Sequence, residues 1–278
     1  MRSGPVAAAI AAEERKARSG GSRQDSGMAD ERRRRRTVLG LILAAGLTVA
    51  SSGVPGPSVA AAAAVAAGGL PAWHGGIDLY RDGTYTVQKS WLWCTAAGVQ
   101  IVRNIVDHES DHTAGAQRRY FAWMRQHNRY HLPLSAGVDP QGWAAGLRHF
   151  VDDRYRLVAS TTFDDALRSA VRRLRQTSLP VALAVSHGNH GWILTGFTAT
   201  ADPLTSGSFR VTGVRVVGPL YGLQSRNGYD MPPDTRLTPA ELRRFLTPWR
   251  YAPVSMVWDG RYVSIQPVPI VAAVATRR

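Results

Sequence analysis

Cys94 is the only cysteine among 278 residues. It follows Gln88-Lys-Ser-Trp-Leu-Trp and leads directly into the apolar run Thr-Ala-Ala-Gly-Val-Gln-Ile-Val. A cysteine in the first turn of a helix meets unpaired backbone N–H groups and the positive end of the helix dipole, both of which stabilise a thiolate. The plain alternative is a buried thiol acting as a small hydrophobe, and a second segment weighs against it. Residues 179–197 read as a short buried strand (Val-Ala-Leu-Ala-Val), a tight polar turn (Ser-His-Gly-Asn) and a second strand that opens on His190. A neutral imidazole at that strand end can take the thiol proton, and the resulting thiolate and imidazolium pair can attack an acyl carbon. His187, three residues earlier in the turn, is the poorer base.

Gln88 placed six residues before Cys94, and the histidine strand His190-Gly-Trp-Ile-Leu-Thr-Gly-Phe197, together resemble the papain-like cysteine peptidases, in particular a bacterial secreted branch related to the double-glycine peptidases that process bacteriocin leaders. The resemblance covers roughly residues 73–219 and implies an α+β fold in which a helical lobe with a central Cys-bearing helix packs on an antiparallel sheet. It implies Cys94 as nucleophile, His190 as base and Gln88 as donor to the oxyanion, with no cofactor and no metal.

Sites of this kind orient the histidine with an Asp or Asn, which the resemblance puts at the end of the strand returning after the histidine strand. Here that strand, residues 209–217, runs into Gly218-Pro219. A hairpin turning at Pro203-Leu204 sets Gly218 opposite His190, where there is no side chain. Asn227 and Asp230, in the polar stretch Gln224-Ser-Arg-Asn-Gly-Tyr-Asp, are the candidates to fold back. Asp230 is preferred because a carboxylate also stabilises the imidazolium. Asp202, in the hairpin turn, is a poorer choice. A Cys-His dyad and a catalytically degenerate binding module at the cell surface stand as alternatives.

The supporting elements follow from periodicity and capping. Residues 94–106 are apolar nearly all round, as a central helix requires. Residues 116–129 form a second helix, with Tyr120, Phe121 and Trp123 facing the core. Asp139-Pro140 supplies an N-cap and a first-turn proline for a third helix ending at Phe150. Thr162-Phe-Asp-Asp165 caps a basic helix ending near Gln176, and Thr238-Pro-Ala-Glu241 is a capping box with Leu237 and Leu242 as its hydrophobic staple. Strands are expected at residues 181–185, 191–198 and 209–217, with a last hairpin of 254–258 and 261–265 around Asp259-Gly260.

His108-Glu109-Ser-Asp-His112 competes for the assignment, since it fits the zinc-peptidase pattern His-Glu-x-x-His. On a continued helix both imidazoles would share a face with Ile101 and Ile105. The pattern lacks a third ligand: the next metzincin position is Arg118, and no glutamate follows until Glu241. The acidic residues Asp107, Glu109 and Asp111 suit a solvated connection between helices instead.

Residues 1–69 are expected to be an export signal and disordered leader: five arginines at 32–36, an apolar run at 37–50, then a Ser, Pro, Gly and Ala stretch. Met28 is an alternative start. Arg35-Arg36-Thr37-Val38-Leu39 also resembles a twin-arginine signal, so the expected location is secreted or cell-surface by the Sec or twin-arginine route. The only membrane association expected is through an uncleaved signal segment. Residues 70–267 then form one domain, and 268–278 a flexible tail. The chain carries a net charge of +14, but no nucleic-acid motif accompanies it, so solvated surface is the default reading and attraction to anionic wall polymers the second. The expected partner is a peptide or protein substrate, or cell-wall material.

Overall fold

A computed structural model describes residues 72–223, 230–251 and 257–269. Asn227, the expected strand residues 254–256, and nearly all of the leader and tail lie outside these. Four helices of more than two turns are described: α1 (Cys94–Asp107), α2 (Ala114–Gln126), α3 (Pro140–Phe150) and α4 (Phe163–Thr177), with a single turn α5 (Pro239–Leu242). The strands are β1 (Gly76–Asp78), β2 (Tyr155–Ser160), β3 (Val181–Val185), β4 (His190–Ala199), β5 (Val211–Val217), β6 (Thr235–Leu237) and β7 (Tyr262–Pro267).

The caps act as their sequences dictate. Asp139 accepts from the backbone of Gly142, Thr162 from Asp165, and Thr238 with Glu241 closes a reciprocal capping box. Such side-chain acceptors satisfy N–H groups that a helix start leaves orphaned. α2 begins two residues before its expected start because Thr113 caps it, its side chain accepting from Ala116.

All strand pairs are antiparallel, in the order β2-β7-β3-β4-β5-β6, with β1 beside the far half of β4. The protein is therefore α+β with an antiparallel sheet. Side chains alternate across the sheet, and this divides the core in two. Ala182, Ile193, Val217 and Ile265 face the cluster that contains α1, α2 and α3. Val181, Leu183, Trp192, Leu194 and Val216 face the cluster under α4 and α5.

One pairing differs from expectation. Val257 and Trp258, the described part of the expected partner strand, lie in a turn, and β7 inserts between β2 and β3, with Ile265 opposite both Leu157 and Ala182. Val263 and Ile265 are fully buried there. A central position buries both faces of the strand, which a hairpin at the edge would not. β1, β2 and β6 were not expected from the sequence, since short edge strands carry little periodicity.

Candidate active site

Cys94 is the first residue of α1, half-buried and free of any disulfide. A turn from Ser90 to Trp93 delivers the chain into the helix, and Trp93 anchors that turn by packing on Phe121 with ring centroids 5.7 Å apart. No side chain caps this helix start, so its first N–H groups are left to face the cysteine. Deeper in α1, Gly98 lets the helix lie close on the sheet: a Cβ there would meet Ile193 at 3.2 Å and Trp143 at 3.3 Å.

His190 opens β4 opposite Val185 and is almost fully buried. The preceding turn is tight because Ser186, His187 and Gly188 all adopt positive φ, at 53, 59 and 89°. It is pinned by bonds from Ser186 N to the Phe245 carbonyl (2.8 Å) and from His187 N to Thr247 Oγ1 (2.9 Å). The geometry sends His187 outward, where its Nδ1 lies 3.0 Å from the Pro248 carbonyl. His190 points inward. Its Nε2 lies 2.9 Å from Asp230 Oδ2, and Cys94 is the other group that acts on the ring. Burial lowers the affinity of this imidazole for a proton, but the hydrogen bonds and charges of Asp230 and Cys94 outweigh it and raise the pKa to about 9.

Of the expected orienting residues, Asp230 reaches the histidine. Asp202 does not: it is bound to Arg175 at 2.8 Å, which holds its carboxyl below the ordinary range. Asp230 is itself held by two further donors that sequence reasoning missed. The Trp192 indole Nε1 donates to Oδ1 at 2.6 Å, and the backbone N–H of Leu220 donates to Oδ2 at 2.7 Å.

Gly218 takes on a meaning opposite to the one expected. The β4–β5 ladder pairs Ile193 with Val217, so the register runs two residues away from a Gly218–His190 pair. A Cβ on Gly218 would stand 2.5 Å from Asp230 Oδ2 and 2.7 Å from Oδ1. The bare glycine is the space in which the carboxylate lies. Gly218→Ala is therefore expected to cost about 1–3 kcal/mol by overpacking and to displace Asp230 from the imidazole. Thermal unfolding would read the first effect and the NMR titration of the His190 ring, falling toward its ordinary value, the second. A variant with a wild-type titration would show that the carboxylate does not need this space.

Gln88 is fully buried beside the turn, but its amide is committed. Nε2 donates to the carbonyls of Ser90 (2.8 Å) and Trp91 (3.2 Å), and the backbone N–H donates to Pro219 O (2.8 Å). Both donor hydrogens are thus spent on shaping the approach to Cys94, and Gln88 braces the turn where an open oxyanion donor was expected. Burial, then the charge of Cys94, raises the phenol of Tyr251, which packs on Trp249, above its usual pKa.

The competing metal motif does not assemble. α1 ends at Asp107, and His108 turns left-handed (φ 59°). Asn104 caps the following segment through Asp111, donating to its carbonyl at 2.9 Å and accepting from its N–H at 3.1 Å. His108 and His112 therefore do not share a helical face. Among the described residues no group of three or more His, Cys, Asp or Glu is placed to hold a metal ion.

The chain matches no protein-family model and no curated protein. The functional reading accordingly rests on the geometry of this site.

Proposed function

We propose that this protein is an exported thiol hydrolase of the papain-like type that cleaves peptide or related amide bonds. The observation that carries the proposal is the array Cys94–His190–Asp230, in which His190 is bonded to Asp230 and acted on by Cys94, with the cysteine at a helix start. With Nε2 on Asp230, Nδ1 is the nitrogen left to take the thiol proton. The thiolate attacks the acyl carbon, forming an S–C bond as the carbonyl π electrons move onto oxygen. The first-turn N–H groups of α1 supply the donors for that oxyanion. Collapse of the adduct breaks the C–N bond, and the imidazolium gives its proton to the departing amine. Water, deprotonated by the now neutral His190, then attacks the thioester, releasing the acid and restoring the thiol.

Among the described residues, Trp91 and Tyr221 are two of the four exposed large hydrophobic side chains, at 57% and 41%. They stand on the segments that border the array, three residues before Cys94 and next to Leu220, which favours a substrate with apolar groups near the scissile bond. A non-catalytic binding module was suggested by Gly218, and that ground is gone now that Asp230 fills the space. Export is proposed from the arginine block and apolar run of the leader. No helix among the described residues is long and apolar enough to cross a membrane.

The test compares two pH profiles of the purified protein. Alkylation of Cys94 by iodoacetamide, followed across pH, should be faster at neutral pH in the wild type than in His190→Ala, whose thiol has no imidazolium beside it. Hydrolysis of a peptide library should fall as pH rises through about 9, where His190 loses the proton it must donate. A group whose pKa is raised to about 9 stays protonated throughout the neutral range, so the loss belongs on the alkaline side. No hydrolysis, together with alkylation that His190→Ala leaves unchanged, would overturn the proposal.

A further inference from the structure

We propose that Trp192 is a positioning residue of this site, acting on His190 through the carboxylate of Asp230. The inference rests on the Cys94–His190–Asp230 reading and adds a fourth, neutral member to it. His190 and Trp192 are two residues apart on β4, so the strand period presents both to one face. Asp230 lies on that face, drawn from 38 to 40 residues away in the chain.

The division of its two oxygens makes the indole matter. Oδ2 receives both His190 Nε2 and the Leu220 N–H, at 2.9 and 2.7 Å. Oδ1 receives the indole N–H at 2.6 Å. The terminal torsion of an aspartate is intrinsically broad, and donors on one oxygen alone leave the carboxyl plane free to swing. A donor on the second oxygen fixes the plane, and with it the direction from which Asp230 meets the imidazole. The glycine at 218 makes the fixed orientation sterically open.

The indole in turn cannot drift. Trp192 is 1% exposed and packs on Phe245 with centroids 4.7 Å apart. Phe245 belongs to the turn continuing from α5, whose start is locked by the Thr238–Glu241 capping box, and its carbonyl also holds the Ser186 N–H before His190. The capped turn near the end of the chain thus steadies both the histidine loop and the tryptophan that aims the acid. This gives the capped turn after Thr238, which the sequence marked only as a helix start, a definite part in the site.

The decisive experiment replaces Trp192 with 3-benzothienylalanine, which keeps the bicyclic shape but has no N–H. Trp192→Phe is the genetically encoded companion. The His190 ring titration, followed by NMR, is expected to drop by at least about one pH unit in both variants. In the peptide assay kcat should fall about 10²-fold with KM little changed, and the alkaline limb should move down. In an Asp230→Ala background the same replacement should have no further effect on the titration or on kcat. An unchanged titration in the benzothienyl variant, while Asp230→Asn does lower it, would overturn the role of Trp192 and leave the array intact. A titration insensitive to Asp230→Asn would instead bring down the reading on which the inference stands.

Discussion

Cys94→Ala is expected to abolish hydrolysis, a loss on the order of 10⁶-fold in kcat, because the acyl intermediate forms on the sulfur of the only cysteine in the sequence. Residues that act as one catalytic unit fail together, so His190→Ala should fall nearly as far. The double variant should be little worse than either single one. Alkylation separates the two roles. Cys94→Ala removes the labelled site altogether, while His190→Ala keeps it and slows its alkylation at neutral pH. Cys94 is half-buried at the start of α1 and His190 is almost fully buried. Alanine at 94 removes one sulfur from a surface that solvent already reaches, so circular dichroism and thermal unfolding should stay close to wild type. Residual hydrolysis in Cys94→Ala that survives purification would assign the chemistry to another site.

Asp230→Asn is expected to lower kcat by up to about 10⁴-fold, the cost of the corresponding change in a serine triad. The substitution is isosteric, so the space at Gly218 stays filled. What changes is the sign and number of donors. The carboxylate accepts from three N–H groups, those of His190, Trp192 and Leu220. An amide brings two hydrogens of its own and only one acceptor oxygen. At least one donor must then face another donor or go unpaired in a buried site. The neutral amide also stops stabilising the imidazolium, so the His190 titration should fall from about 9 and the alkaline limb of activity with it. A kcat within a few-fold of wild type would mean that the imidazole is oriented by its strand alone.

Much of the site was legible before any coordinates, because its signals are local. The only cysteine stands where an apolar helical run begins, and α1 begins there. His190 follows a turn rich in polar residues, and β4 begins on it. The capping pairs at Asp139, Thr162 and Thr238 act within three residues of themselves, so they appear in the structure as they read in the sequence. The acidic residues around His108 and His112 read as a connection between helices, and the left-handed turn at His108, just past the end of α1 at Asp107, makes that connection, with Asn104 reaching Asp111.

What the sequence determined, then, was the four long helices, the strands β3, β4 and β5, and that Cys94 opens α1 and His190 opens β4, since hydrogen bonds and side-chain periodicity within a few residues govern these. Tertiary structure alone decided that β7 lies between β2 and β3, that both amide hydrogens of Gln88 are used on neighbouring carbonyls, and that Asp230 sits on His190 with Trp192 and Leu220 behind it. The physical reason is most visible at Gly218. A glycine has no side chain from which a partner can be inferred, and its worth is the volume it leaves, which acquires meaning only when packing brings a carboxylate from twelve residues further along the chain into that space.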